Sequence, residues 1–174
     1  MISWLAGEDV QTRLRRGVLA LAALGIVGTT VELVFLRHWT TPTRLIVWPA
    51  MLALALALGL LVTRATVGRV TAARAIAGVV LLVAGLGIAL HVHGNLEAGP
   101  LDRHYAATWD TLSSVEQWWL ASTGGVGPAP VLAPGALAEI SLMLLLATVA
   151  HPVFAIEATP AGRFPGDRGV LRPD

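Results

Sequence analysis

The sequence predicts an all-α integral membrane protein. Its expected form is an up-down-up-down bundle of four transmembrane helices, with a short amphipathic extracytoplasmic helix between the third and the fourth. Three observations lead there. Hydrophobic residues make up 55% of the 174 residues and charged residues only 13%, where soluble domains carry roughly 25% charged residues. The apolar residues fall into four long blocks instead of being spread along the chain. The basic residues, all of them arginine, sit outside those blocks and are unevenly divided between the connections.

The first block runs from Gly17 to Leu36 and is broken only by Glu32. A helix rises about 1.5 Å per residue, so about 20 residues cross a hydrocarbon core about 30 Å thick. The first span is therefore placed at about 16–37. A cleaved signal peptide is the competing reading, because Arg13, Arg15 and Arg16 precede the block as a basic start would. The apolar run of about 20 residues, with no clean small-x-small site before its end, favours a retained helix. The second block, Leu45 to Thr63, predicts a span at about 44–63. The third, Ala75 to His91, reaches crossing length over about 72–94, and the fourth, Ala136 to Ala150, over about 135–154 with Glu139 inside it. Within a bilayer every backbone polar group must be satisfied inside the segment, which leaves helices as the reading of such blocks. Residues 1–158 thus form one transmembrane domain, and 159–174, without apolar periodicity, are expected to be a flexible cytoplasmic tail.

Orientation follows from the arginines. Arg13, Arg15, Arg16, Arg64, Arg69, Arg74, Arg163, Arg168 and Arg172 fall on one side of this topology, and only Arg37, Arg44 and Arg103 on the other. Positive residues favour the cytoplasm, so both termini are expected inside, in the inner (cytoplasmic) membrane of the cell. The wealth of Ala, Leu, Val, Gly and Arg, with no Lys, suggests a bacterium of high GC content.

The third connection carries Tyr105, Trp109, Leu112, Val115 and Trp119 at helical spacing, with Asp110, Ser113, Ser114 and Gln117 off that stripe. It predicts a surface helix over about 103–121, with Trp109 and Trp119 on one face against headgroups or the bundle mouth. From Ser122 to Gly135 the proline positions Pro128, Pro130 and Pro134 predict irregular backbone.

Composition excludes several classes of chemistry. With no cysteine, disulfides, thiolate metal sites and thiol redox chemistry are ruled out. A net charge of +1 argues against a nucleic-acid binder. No phosphate-binding glycine loop, dinucleotide motif or nucleophile elbow occurs.

Ionisable residues inside spans are costly and suggest function by default. Glu32, His91 and Glu139 all fall one to two turns below the outer surface in the predicted topology. Glu32 shares a ridge with Gly25 and Gly28, and His91 shares one with Ala84 and Gly87, which would turn both inward. A histidine with two carboxylates suits a divalent metal ion such as Zn²⁺, Mn²⁺ or Fe²⁺, with His38 and His93 as supplementary candidates. The same residues suit a protonatable cluster, or a structural pair in which Arg37 or Arg44 neutralises Glu32. Asn95, Glu97, Asp102 and His104 complete the polar rim, whereas His151 reads as a cation at the end of the fourth helix.

These features predict a small non-enzymatic accessory protein or subunit with a polar site near its extracytoplasmic face. Its expected partners are the lipid bilayer and other membrane subunits or further copies of itself. An oligomeric ion or proton carrier is the alternative, and a membrane metalloenzyme using His and Glu ligands the second.

Overall fold

The computed structural model describes residues 9–157, so the tail expected at 159–174 lies outside the described residues. All regular structure within them is helical: α1 (Val10–Phe35), α2 (Pro42–Leu45), α3 (Val47–Val62), α4 (Val67–Ala98), α5 (Ser114–Thr123), α6 (Leu132–Ala147) and α7 (Pro152–Glu157). Short 3-10 turns occupy Gly99–Leu101 and Trp109–Thr111. Three segments are long and apolar enough to cross a membrane: Val10–Phe35, Val67–Leu101 and Pro134–Phe154. The second apolar block folds as the 16-residue α3, shorter than a crossing asks for, with α2 set before it across Ile46.

Boundaries depart from the predicted ones for local reasons. α1 begins at Val10, so Arg13, Arg15 and Arg16 belong to the helix and do not precede it. It ends with Arg37 in the left-handed region (φ 49°). The His38 amide there donates to Leu33 O at 2.9 Å and the Arg37 amide to Val34 O at 3.0 Å, a Schellman closure. α4 starts behind Thr66, whose hydroxyl accepts the Arg69 amide, and runs through Gly94 to Ala98. Its 32 residues make a rod about 48 Å long, more than a hydrocarbon core needs. α6 begins at Leu132, so the irregular stretch ends earlier than expected and Pro134 sits in a first turn that has no amide bond to lose.

One apolar core joins α1, α3, α4 and α6, with Ala22, Leu54, Ala57, Val70, Ala77 and Leu144 fully enclosed. Two glycines set how closely α6 approaches its neighbours. A Cβ at Gly25 would stand 2.9 Å from the Ile140 side chain, and one at Gly87 would stand 3.1 Å from Pro134. Gly25 meets Ile140 while Arg15 reaches Ala147, so α1 and α6 run antiparallel. Gly87 meets Pro134 while Arg74 reaches Thr148, so α4 and α6 are antiparallel as well. Gly28, also expected on a packing ridge, has open space beside it.

The last turns of α4 carry a second, smaller core in which Val92, Trp109, Ala121 and Val126 are buried. This corrects the predicted surface helix at 103–121. Asp102 stops the chain from continuing as a helix: its carboxylate accepts the His104 amide at 2.8 Å and its carbonyl accepts from Tyr105 and Ala106. The helix starts only at Ser114, where Ser113 and Glu116 form a reciprocal capping box. Trp109 therefore lies in a 3-10 turn, 5% exposed, whereas Trp119 lies on α5, 69% exposed. The two indoles do not share a helix face. Changing Ser113 to alanine should fray the first turn of α5, seen as faster amide exchange at Val115–Gln117 with α1, α4 and α6 unaffected. Unchanged exchange there would mean that the box does not hold the turn.

Candidate functional site

The three ionisable residues expected to converge are placed differently from one another. Glu32 and Glu139 are exposed, and neither makes a hydrogen bond or ion pair among the described residues. Glu139 neighbours Ile140, which meets Gly25, and Glu32 stands seven residues above Gly25 on α1. Glu139 is thus roughly 10 Å deeper than Glu32 by helical rise. The two do not share a depth. His91 is partly buried at the rim, its Nδ1 paired with Pro130 O at 3.0 Å. Among the described residues no group of three His, Asp or Glu side chains is placed to hold a metal ion. The inward turn expected for Glu32 fails because Gly28 and Glu32 lie on an exposed face of α1 while the adjacent Leu33 is buried in the core; on their ridge only Gly25, lower down, is in contact. His93 pairs with Glu97 one turn on, Nε2 to Oε1 3.3 Å, on the exposed side of α4. It cannot reach the His91 face because the helix continues through Gly94.

What the outer end does build is a pinned cap. Asn95 is 0% exposed and uses its amide in three directions. Its Nδ2 donates to Ala121 O at 3.0 Å and Ala129 O at 2.9 Å, and its Oδ1 accepts from the Ala129 amide at 2.9 Å. Gly127, with φ +78°, passes so close that a Cβ would overlap Asn95. The loop between α5 and α6 is therefore fastened onto α4 by one side chain, and His91 adds a second fastening one turn below. Gly124, with φ +74°, starts this loop by closing α5, the Gly125 amide donating to Leu120 O at 2.8 Å.

His38 stands beside this cap. Its carbonyl accepts the Trp48 indole N–H at 2.9 Å, and the two indoles of Trp39 and Trp48 meet with centroids 6.4 Å apart. Burial first, then the nearby Arg44 and His91, hold the His38 imidazole below its ordinary pKa. The folded chain thus binds a proton here less readily than the unfolded one. Its contribution to stability is complete above the ordinary value and is lost as pH falls through the lowered one. Melting of the wild type should drop between about pH 7.5 and pH 5.5, a range that brackets the ordinary imidazole value of about 6.5. In His38→Gln the drop should shrink. An identical pH profile in the variant would remove His38 from the account.

The inner end holds a denser polar arrangement. The last carbonyls of an α-helix lack intrahelical partners, and those of α6 are taken by two arginines from other helices. Arg15 of α1 donates from Nε to Ala147 O at 3.0 Å and from Nη2 to Ala150 O at 3.4 Å. Arg74 of α4 donates to Thr148 Oγ1 at 2.9 Å and to Thr148 O, and its guanidinium lies 4.6 Å over the Phe154 ring. Ala150, with φ 47°, turns the chain out of the helix. His151 is 8% exposed, but it is not the cap of α6 that its position suggests. Its Nδ1 instead accepts the Val153 amide at 3.3 Å, at the start of α7. Cations at a helix C-terminus are favourable, and here arginines supply them. Read in the sequence only as topogenic charges, Arg15 and Arg74 are structural caps. The readable signal was that both stand at the same end as the close of the fourth block.

No protein-family model, no curated protein and no solved structure matches the chain.

Proposed function

We propose that this chain is a multi-pass subunit or accessory protein of a bacterial cytoplasmic membrane, with four crossings, both termini inside, and a lateral contact made through α6. Three long apolar helices support the membrane part. Large hydrophobic side chains on their outward faces remain exposed, among them Leu24, Val27, Leu82, Leu86, Leu142 and Leu146. In water such faces would be aggregation sites; against acyl chains they are solvated. The second crossing uses Pro42–Val62, α2 and α3 together. The exposed Val115, Trp118 and Trp119 of α5 then meet the outer headgroup level, where indoles are favoured.

The observation that carries the lateral contact is Glu139. It lies on the α6 face that also presents Leu142 and Leu146, each more than half exposed, and no described residue pairs with it. A carboxylate on a lipid-facing surface costs roughly 2.5–3.5 kcal/mol near the bilayer centre. A donor from a neighbouring membrane helix would remove that cost. Glu32 is exposed three residues before the outer end of α1, close to the headgroup level, where a carboxylate costs less than at the bilayer centre.

Two results test this reading. The chain has no cysteine, so single cysteines introduced at Ala65, Ser122 and Thr159 report topology cleanly. A membrane-impermeant maleimide should label only the one at Ser122 in intact spheroplasts. Labelling at Ala65 would overturn the four-crossing topology. Affinity purification from native membranes should return a stoichiometric second polypeptide, or a second copy, that is lost in Glu139→Leu. A Glu139→Leu protein that keeps the same company would overturn the contact.

A further inference from the structure

At the inner end, α1 and α3 do not close on each other. Among the described residues a partly open crevice of about 720 Å³ lies between them, with Ala20 and Ala55 on its walls exposed at the side of the bundle. Small residues make the space: Ala20 and Ala23 on α1 face Ala55 and Gly59 on α3. Its mouth is different in kind, with Thr12, Arg15 and Arg16 on the wall. From Arg16 to Ala23 is seven residues, roughly 10 Å of helix, about a third of a hydrocarbon core. The crevice is therefore cationic and hydroxylic at one end and apolar along its length.

We propose that this crevice is a binding site for an anionic phospholipid of the inner leaflet, one acyl chain lying between α1 and α3 and the phosphate at the Thr12–Arg16 rim. Charge complementarity selects the occupant. Arg15 is already oriented by Ala147 O and Ala150 O, which consume two of the five donors of its guanidinium and leave the group fixed beside the mouth. Arg13, Arg64 and Arg69 stand at the same end of α1 and α3, so the local field favours an anion. A neutral hydrocarbon would gain from the apolar walls alone; a phosphodiester gains from both. The open side of the crevice is the direction from which a bilayer lipid arrives, needing no entry path through the protein. A detached phosphate ion would use the rim and leave the apolar length empty.

The inference rests on the bilayer placement argued above, and its test keeps the two apart. The full-length chain in detergent is mixed with equal amounts of phosphatidylglycerol and phosphatidylcholine carrying identical acyl chains, and retained lipid is read by native mass spectrometry. Phosphatidylglycerol should be retained over phosphatidylcholine by about fivefold or more, the increment one arginine supplies near anionic lipid. Gly59→Leu fills the crevice at a position where an added Cβ meets nothing within 4 Å, and should abolish retention of both lipids with the melting temperature unchanged. Ala20→Leu, on the exposed lip, should do the same by a second route should the first variant fold poorly. Arg16→Gln should keep a bound lipid and lose the headgroup preference. Equal retention of the two lipids, or a preference indifferent to both filling variants, overturns the site. Displacement of phosphatidylglycerol by inorganic phosphate alone would show a free-anion site instead. A chain that stays dispersed without detergent defeats the bilayer reading itself, whereas a detergent-dependent chain with no lipid preference defeats only this inference.

Discussion

Asn95→Leu should detach the outer cap from the helices beneath it. The substitution keeps the volume but leaves the Ala129 amide and the Ala121 and Ala129 carbonyls without the partner they have now. Each buried polar group left unpaired costs about 1–3 kcal/mol, so the loss should reach about 3 kcal/mol or more. It should be local first: amide exchange across Gly124–Val131 should rise toward that of an open loop while α1 and the lower half of α4 stay protected. Asn95→Asp can still accept from the Ala129 amide but cannot donate, and should fall between wild type and leucine. An Asn95→Leu protein with unchanged exchange in 124–131 would mean that the apolar contacts around Trp109 and Val126 hold the cap by themselves.

Arg74→Leu is the second large effect. It removes two hydrogen bonds from a charged donor and the stacking on Phe154, which together stabilise the inner end by about 2–4 kcal/mol. Thr148 is 2% exposed, so its carbonyl has no easy access to water once the guanidinium is gone. Arg15 caps the same helix end through Ala147 and Ala150, so the two variants should not be additive. The Arg15→Leu and Arg74→Leu double-mutant cycle should give a coupling of about 0.5–3 kcal/mol by thermal unfolding in detergent. Simple additivity would show that the arginines act as separate surface charges. Arg74→Lys should recover only part of the loss, because an ammonium cannot serve the Thr148 hydroxyl and carbonyl with the geometry of a planar fork.

Much of the architecture was legible as apolar length. The blocks around Leu19, Leu54, Val80 and Leu144 each fold as a helix, and their inward faces form one core. Helix ends were less legible, because they depend on single hydrogen bonds. Ser113 and Glu116 at capping-box spacing were a readable start signal, masked by an aromatic stripe that ran straight through it. Periodicity in Tyr105, Trp109 and Leu112 came from turns packing onto α4, since burial alone can mimic a helical repeat over so short a stretch. Depth counted from span boundaries puts Glu139 too shallow, since α6 begins at Leu132 and Pro134 is already level with Gly87. Facing direction fails at Glu32, where one glycine of the expected ridge touches α6 and the next touches nothing. Asn95 was visible as a polar residue at the rim. Its role as a three-way fastener was not, because its partners lie 26 and 34 residues away, one on α5 and one on the irregular loop that follows it.

The lateral contact through α6 is tested most directly by photo-crosslinking in native membranes. A photoreactive amino acid replaces Leu142, one turn beyond Glu139, and in a parallel strain replaces Leu82 on α4, 76% exposed, as the control face. With the contact in place, illumination at position 142 yields one discrete adduct of higher mass, position 82 yields lipid adducts only, and Glu139→Leu in the first strain abolishes the discrete product. Lipid adducts alone at both positions, with or without Glu139, would contradict the contact and leave α6 facing nothing but the bilayer.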